Sequence, residues 1–220
     1  DAVTSLGGSV VDVDAWGVDY CYSATQKCLG APPGLAPAAL SLRALDAIRS
    51  RKEKPKSWYL DLDLISGYWM DFVYHHTAPI SMLLGLREAL KMVFEEGLDK
   101  RMARHKRNSY ALRAGVQSMG LRLVVPKEYS LDQITAIWIP EGVDDNQIRS
   151  GLLKKYNIEI GRGLGDFAGK VWRIGLMGDS SRSENVLVVL SAMEVLLNEA
   201  GYEVAQGSGV SAASQSLASD

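Results

Sequence analysis

The sequence predicts an α/β protein, and two kinds of residue pattern carry that prediction. Short apolar runs bounded by glycine or proline are typical of β-strands, and the first ones occupy residues 10–13 and 18–22. Later stretches repeat apolar residues at every third or fourth position, which is the spacing of one helix face. At 220 residues, the chain is long enough to bury a substantial core in one or two domains.

In the first half of the chain, we expect three strands followed by two helices. A third apolar strand is expected at residues 35–41, after a turn rich in glycine and proline. Ser41 is a suitable N-cap for a helix over residues 42–50. Pro79 opens a longer helix, and Gly97 marks its end or a kink. Between these helices, aromatic side chains cluster on a segment that we expect to be irregular, at Trp58, Tyr59, Tyr68, Trp69 and Phe72.

The second half predicts helices around strands at residues 121–125 and 134–139. Apolar residues at helical spacing predict a helix over residues 98–119, which ends at Gly120. We expect its basic residues 100–107 to face water and His105 to pack near its apolar side. Capping-box patterns precede two further helices, in the pairs Asp144 with Gln147 and Ser181 with Glu184. Residues 206–220, rich in glycine, serine and alanine, predict a flexible tail.

Composition narrows the classes of function. Hydrophobic residues make up 47% of the chain and the formal net charge is −2, so nothing favours a nucleic acid or an anionic membrane as partner. No apolar run reaches the roughly 18 residues that span a bilayer. Two cysteines and three histidines do not offer ligand spacings for a metal site, so we expect no metal.

A lysine lies between the predicted strands at residues 18–22 and 35–41. Lys27 follows the run 18–22 and precedes a turn built by Gly30, Pro32, Pro33 and Gly34. A lysine in such a place is most often a solvated charge. Its amine becomes a nucleophile when burial or a nearby cation lowers its pKa, so the turn is also a candidate catalytic element.

The residues around this lysine resemble a known family. Ser23-Ala24-Thr25-Gln26-Lys27, followed by Pro32-Pro33-Gly34, resembles the cofactor-lysine segment of class V, fold-type I aminotransferases, which use pyridoxal 5'-phosphate. Within them, the alanine–glyoxylate and serine–pyruvate aminotransferases are the most similar. Three further motifs match in the family's order, namely Asp1-Ala2-Val3-Thr4-Ser5-Leu6-Gly7-Gly8, Tyr74-His75-His76-Thr77 and Trp172-Arg173-Ile174-Gly175-Leu176-Met177-Gly178.

The resemblance implies a role for each matched residue. Lys27 would be the Schiff-base lysine, Asp1 the acid that pairs with the pyridinium nitrogen, and Gln26 a residue near the cofactor phosphate. Tyr74 and Thr77 would reach the phosphate of the cofactor in the partner subunit. The simpler alternatives stay open, because a terminal acid, an exposed tyrosine and a glutamine beside a turn are common without any such role.

Arg173 would hold the carboxylate of the substrate, since a guanidinium presents a planar fork of donors. A structural ion pair is the alternative for an arginine on a strand. The run Gly161, Gly163 and Gly165 lies between strands rather than before a helix, so it predicts close backbone approach near Arg173 and not a dinucleotide site. His75 and His76 are expected on opposite faces of an extended segment, which makes a poor metal pair.

The resemblance also implies the architecture. It is that of a fold-type I pyridoxal-phosphate transferase, with a partial large α/β domain over residues 1–95 that includes a dimer-contact segment. A small α+β domain follows over residues 96–205. We therefore expect a homodimer, and we expect this sequence to be the C-terminal portion of such an enzyme.

The implied activity is transamination of alanine or serine, with glyoxylate or pyruvate as the 2-oxo acid acceptor. Another class V activity, such as a kynurenine-type transaminase, and a catalytically incomplete fragment are the alternatives. A cysteine desulfurase is disfavoured, because its mobile cysteine loop has no evident match. We expect a cytoplasmic rather than a peroxisomal location, since the last residues do not match the Ser-Lys-Leu type.

Overall fold

Two small antiparallel β-sheets mark the two parts of the chain. The computed structural model describes residues 1–219. Strand β1 (Tyr20–Tyr22) pairs with β2 (Ala38–Leu40) in the first sheet. Strands β3 (Ile134–Trp138), β4 (Gly161–Arg162) and β5 (Val171–Gly175) form the second, in which β5 lies in the centre.

Helices make up most of the remaining structure. They are α1 (Leu42–Arg49), α2 (Leu62–Met70), α3 (Ile80–Glu96), α4 (Leu98–Ser118), α5 (Asp145–Tyr156), α6 (Ser183–Glu199) and α7 (Ser208–Ala218). Among the described residues, no helix is both long and apolar enough to cross a bilayer.

The predicted helix ends at Ser41 and Asp144 are confirmed. The Ser41 hydroxyl accepts from the Ala44 amide, and the Asp144 carboxylate accepts from the Gln147 amide at 2.6 Å. Gly97 separates α3 from α4 with φ +84° and ψ +135°, a conformation that suits glycine. The chain can therefore end one helix and start the next at a single residue.

The main hydrophobic core lies in the second part of the chain. It is built from α4, α5, α6, α7 and the three-stranded sheet, and its largest members, all less than 2% exposed, are Trp172, Leu112, Ile137, Ile148, Leu152, Leu190, Met193 and Leu197. Helices α1 and α2 contain no buried residue in this structure. The boundary between domains 1–95 and 96–205 stays a prediction.

Two predicted strands are not formed. Residues 10–13 enter a turn instead, because Asp12 accepts from the Ala15 amide through its side chain and from the Trp16 amide through its carbonyl. This local hydrogen bonding outweighs the strand propensity of the three valines in the segment. Residues 121–125 contribute only an isolated bridge, between Leu123 and Ile137.

Two further expectations are wrong. Helix α6 takes Arg182 rather than Ser181 as its N-cap, because the Ser181 carbonyl accepts from Arg104 and Asn108 instead. The aromatic segment is not irregular throughout, since Tyr68 and Trp69 lie in α2.

The flexible tail predicted for residues 206–220 is also wrong over Ser208–Ala218, which form helix α7. The carboxylate of Glu194 on α6 accepts from the amides of Gly207 and Gly209, at 2.9 and 2.6 Å, and so satisfies free donors at the start of α7. Ala213 is fully buried. The small residues that suggested a tail instead let this helix pack closely against its neighbours, and Asp220 lies outside the described residues.

Candidate active site

Lys27 lies on a tightly tied turn after β1. The fully buried Thr25 donates from its hydroxyl to the Pro32 carbonyl at 2.7 Å, and its own carbonyl accepts from the Ala31 amide at 3.0 Å. Gly30 has φ +74°, which lets the chain reverse between these contacts. The side chain of Lys27 is half-buried, and within residues 1–219 its Nζ has no hydrogen-bond or ion-pair partner. The turn therefore presents the unpaired Lys27 side chain on a fixed backbone.

Asp1 lies beside the end of the strand that leads to this turn. Its carboxylate accepts from the Tyr22 hydroxyl at 2.9 Å and from the Val3 amide at 2.8 Å. The next residue, Ala2, pairs with the Tyr22 carbonyl through its amide and accepts from the Ser23 hydroxyl, both at 2.9 Å. The structure thus places Asp1 and the Lys27 turn at the same end of β1. Gln26, in the same turn, is exposed.

The opposite side of the turn packs against the loop that follows β5. Gly178 in this loop has φ +59°, and a Cβ atom there would lie 3.1 Å from the Cys28 carbonyl oxygen and 3.4 Å from that of Lys27. The Cys28 side chain is buried, and its thiol lies 3.2 Å from the Thr4 carbonyl. Burial raises the pKa of this thiol to about 11, so Cys28 is a packed thiol rather than a nucleophile.

Two arginines and a glutamate surround this contact. Arg101 donates to the Cys28 carbonyl and to the Glu96 carboxylate, both at 2.6 Å. Arg104 donates to both oxygens of the same carboxylate, at 2.5 and 3.0 Å, and to the carbonyls of Gly178 and Ser181. The hydrogen bonds from Arg104 and then Arg101 outweigh partial burial and lower the pKa of Glu96 to about 2.

The expectation that basic residues 100–107 face water is therefore wrong for Arg101, which is 6% exposed. Its charge is tolerated because the bend at Gly97 brings Glu96, at the end of α3, against the start of α4.

His105 completes the network and is fully buried, as the prediction of a packed histidine requires. Its Nδ1–H donates to the Arg101 carbonyl at 2.8 Å, and its Nε2 accepts from the Gly178 amide at 3.0 Å. These partners define a neutral imidazole, because a protonated ring has no acceptor for an amide. Burial, the largest cause, lowers the pKa of His105 below its ordinary value.

Arg173 lies in the middle of β5. Its Nε donates to the Arg162 carbonyl at 2.8 Å, while its terminal NH2 groups have no hydrogen-bond acceptor in the described part of the chain. Gly161 lies opposite in the register, and a Cβ there would come within 3.5 Å of Arg173 Nη2. The neighbouring Trp172 is fully buried, with its indole N–H on the Asp145 carboxylate at 3.0 Å. A rigid strand therefore holds a guanidinium fork that is free to bind a carboxylate.

The glycine run beside Arg173 permits close approach, as predicted. A Cβ atom on Gly163 would lie 1.9 Å from the Phe167 carbonyl oxygen, so only glycine fits there. Gly161 belongs to strand β4 and Gly165 begins a short 3₁₀ turn, Gly165–Phe167, rather than an α-helix.

Tyr74 and Thr77 form an exposed pair. Their hydroxyls lie 3.2 Å apart, and the Tyr74 side chain is 73% exposed. No hydrogen bond within residues 1–219 joins either one to Asp1 or Lys27. The structure therefore does not bring this pair to the lysine turn of the same chain.

The adjacent histidines face each other, contrary to the prediction of opposite faces. The Nδ1 atoms of His75 and His76 lie 2.8 Å apart, because the segment is not an extended strand. His75 also stacks on Trp58, with ring centroids 4.0 Å apart, and its Nε2 lies 3.1 Å from the Trp58 carbonyl. The described residues contain no cluster of three or more potential metal ligands.

The sequence analysis missed the residues behind the lysine turn, namely Glu96, Arg101, Arg104 and Gly178. Arg101 and Cys28 are 73 positions apart, so no local pattern joins them. One signal was available, since a glutamate just before Gly97 and an arginine shortly after it meet when that glycine separates two helices.

Comparison with known proteins places the chain in a family. The family model described as "Aminotransferase class-V" matches residues 1–169. The (S)-ureidoglycine–glyoxylate transaminase of Bacillus subtilis is 40% identical, over 92% of this chain and 54% of the relative. The alanine–glyoxylate aminotransferase of Drosophila melanogaster is 42% identical, over 91% of this chain and 51% of the relative.

A solved structure agrees with this placement. The crystal structure of the ureidoglycine–glyoxylate aminotransferase from Bacillus subtilis superimposes with a TM-score of 0.94 at 40% identity, covering 98% of this chain and 56% of that one. The chain thus spans about half the length of the curated relatives it matches. Its fold is α/β, that of the fold-type I pyridoxal-phosphate aminotransferases, as the sequence predicted. The chain therefore belongs to the class V aminotransferases.

Proposed function

We propose that the protein containing this chain transfers an amino group from alanine or serine to glyoxylate or pyruvate, with pyridoxal 5'-phosphate as cofactor. The observation that carries the proposal is the half-buried Lys27 side chain, which lies on a turn fixed by Thr25 and at the same strand end as Asp1. The activities in the names of two relatives, a ureidoglycine–glyoxylate transaminase and an alanine–glyoxylate aminotransferase, support glyoxylate as the acceptor.

The chemistry of this donor set fits the cofactor. When bound, pyridoxal 5'-phosphate supplies an aldehyde for an amine and a ring that withdraws electrons from the substrate α-carbon. Lys27 would hold the cofactor through Nζ and later carry a proton on that atom. The Asp1 carboxylate, already oriented by Tyr22 and Val3, would keep a proton on the ring nitrogen. Gln26, exposed beside Lys27, would lie near the phosphate.

Arg173 would bind the carboxylate shared by the amino acid and the 2-oxo acid. Its Nε is occupied by the Arg162 carbonyl, which orients the guanidinium and leaves the terminal NH2 groups for a two-point contact. Gly178, on the loop that leaves the same strand, packs on the backbone of Lys27 and Cys28. The short segment from Arg173 to Gly178 would thus connect the site that binds the substrate to the turn that holds the cofactor.

Tyr74 and Thr77 would donate to the phosphate of the cofactor held by a second copy of the chain. Their exposure, and the absence of any hydrogen bond within residues 1–219 to Asp1 or Lys27, support a role outside their own site. The residues from the end of α2 to this pair are unusually apolar for a surface, with Met70 77%, Phe72 92% and Val73 61% exposed. Such a patch is typical of an interface, which supports a homodimer with shared sites.

The test is chemical labelling of the protein that contains this chain. Borohydride reduction in the presence of pyridoxal 5'-phosphate should attach the cofactor to Lys27, and peptide mapping should find it on no other lysine. Lys27→Ala should abolish turnover. Label on a different lysine, or no label at all, would contradict the proposal. A panel of alanine, serine and (S)-ureidoglycine as donors, with glyoxylate and pyruvate as acceptors, then defines the substrate.

A further inference from the structure

A buried arginine reaches the backbone directly after the proposed cofactor lysine. Arg101, on α4, is 6% exposed and donates through Nη2 to the Cys28 carbonyl at 2.6 Å. Its Nη1 donates to Glu96, also at 2.6 Å. The contact crosses 73 positions of sequence and joins the start of α4 to the lysine turn.

The arrangement does not maximise the hydrogen bonding of Arg101. Its Nε is buried and has no partner within residues 1–219. The orientation of the guanidinium is instead the one that reaches Glu96 and the Cys28 carbonyl together.

The contact fixes the chain on the C-terminal side of Lys27. Gly178 packs against the Lys27 and Cys28 carbonyls, so the backbone cannot shift towards the loop after β5. The Gly30 amide binds the Lys27 carbonyl at 3.0 Å, and Thr25 fixes the other side of the turn. With both sides held, the direction in which the Lys27 side chain leaves the turn is determined by the backbone.

We propose that Arg101, oriented by Glu96, is a positioning residue for Lys27 that acts through the Cys28 carbonyl. The inference rests on the proposed function, in which Lys27 carries the cofactor. It assigns no contact with substrate or cofactor to Arg101. Loss of its contact leaves Lys27 chemically intact but on a looser turn, so cofactor attachment and proton movement by its amine become slower.

Two variants and one matched control test the proposal. Arg101→Lys keeps the charge, but a single ammonium cannot reproduce the two-armed geometry. Glu96→Gln keeps Arg101 and weakens its orientation, and it decides the test if Arg101→Lys does not fold. Arg113→Lys is the control, since Arg113 lies on the same helix, is 7% exposed and donates to a backbone carbonyl, that of Leu131, at 2.6 Å.

The first measurements need no cofactor. In the protein that contains this chain, without added cofactor, hydrogen exchange at the Gly30 and Ala31 amides should accelerate about tenfold or more in Arg101→Lys, and less in Glu96→Gln. Labelling of the buried Cys28 thiol, measured in a Cys21→Ser background, should accelerate with it. Arg113→Lys should leave both rates unchanged. Unchanged rates in the folded test variants would overturn the proposal.

The remaining measurements use the protein that contains this chain. Arg101→Lys should lower kcat about tenfold while leaving KM for the amino donor near its original value. It should also shift the pH at which the absorbance of the lysine-bound cofactor changes, which a purely structural residue would not do. If borohydride labels no Lys27 in the unmodified protein, the proposed function fails. If it labels Lys27 and the variants match Arg113→Lys, the positioning role fails.

Discussion

The Nε2 atom of His105 accepts a hydrogen bond of 3.0 Å from the Gly178 amide, and this bond requires a neutral imidazole. His105 lies on α4 and Gly178 on the loop after β5, so the bond connects the arginine network to the loop that covers the lysine turn. Protonation of one buried ring would therefore disturb the backbone packing behind Lys27.

We expect the stability of the chain to fall as the pH decreases below about 6.5, the ordinary value for histidine. The folded-state pKa of His105 is lowered, so between that value and 6.5 the unfolded chain binds a proton that the folded chain does not. The contribution is complete above pH 6.5 and decreases below it, by at most about 1.4 kcal/mol per pH unit for one proton.

Urea unfolding at several pH values between 5 and 8 measures this effect. His105→Gln, which keeps a donor and an acceptor in a similar shape, should remove that part of the pH dependence. An identical pH dependence in the original chain and in His105→Gln would show that His105 is not responsible.

For the proposed carboxylate site, we expect Arg173→Lys to weaken binding of the amino donor and the 2-oxo acid by about tenfold or more. A lysine keeps the charge but loses the fork that Arg173 holds free on β5. Cofactor binding should be nearly intact. The measurements are KM for donor and acceptor, and a cofactor titration.

Arg162→Lys is the matched control, because the hydrogen bond from Arg173 goes to the Arg162 backbone carbonyl, which the substitution keeps. This substitution should leave both KM values close to those of the original protein. If Arg173→Lys behaves like the control, Arg173 is not the carboxylate site.

Sequence reasoning succeeded where one residue decides the local structure. Pro79 and Gly97 bracket α3, and Ser41 caps α1, because proline, glycine and a capping hydroxyl act on their own backbone. It failed where a distant partner decides. The composition of α7 is typical of a flexible tail, but Glu194 on α6 supplies the acceptor for the first amides of this helix.

The same distinction between local and distant determinants applies to the candidate site. Motifs led to the proposal of Lys27, Asp1 and Arg173 as site residues, since each belongs to a short characteristic segment. The residues that support the lysine turn come from α4 and from the loop after β5. No local sequence pattern predicts their contact with that turn. Burial of Arg101 could not be predicted either, because a basic run on a helix is most often solvated.

The proposed shared sites lead to a complementation prediction in the protein that contains this chain. Lys27→Ala removes the amine from one site, and the double variant Tyr74→Phe with Thr77→Ala removes the phosphate donors that would serve the partner. Each variant should be inactive or nearly so. Mixed after partial denaturation, they should recover about a quarter of the original activity, because half of randomly formed dimers are hybrids with one intact site.

Each variant refolded with itself is the control and should recover nothing. Absence of recovery in the mixture, with dimers demonstrated by light scattering, would show that each chain completes its own site. An active monomer would contradict the shared arrangement directly.

The last prediction concerns Gly115 in α4 and the packing of helix α7 against it. A Cβ atom at Gly115 would lie 2.4 Å from Leu190 Cδ1 and 2.8 Å from the Gly209 carbonyl oxygen at the start of α7. Leu190 is fully buried and the Gly209 amide is bound by Glu194, so neither neighbour can move freely. Gly115→Ala should therefore destabilise the chain by about 1–3 kcal/mol, the usual cost of overpacking, and should increase hydrogen exchange in α7.

Gly85→Ala in α3 is the matched control, because its Cβ would meet only Pro32 at 3.4 Å, an ordinary contact. That control should be neutral or stabilising by up to about 1 kcal/mol, since alanine restricts the unfolded chain. Equal unfolding free energies for the two variants, measured in urea, would mean that α7 does not pack closely against Gly115 in solution.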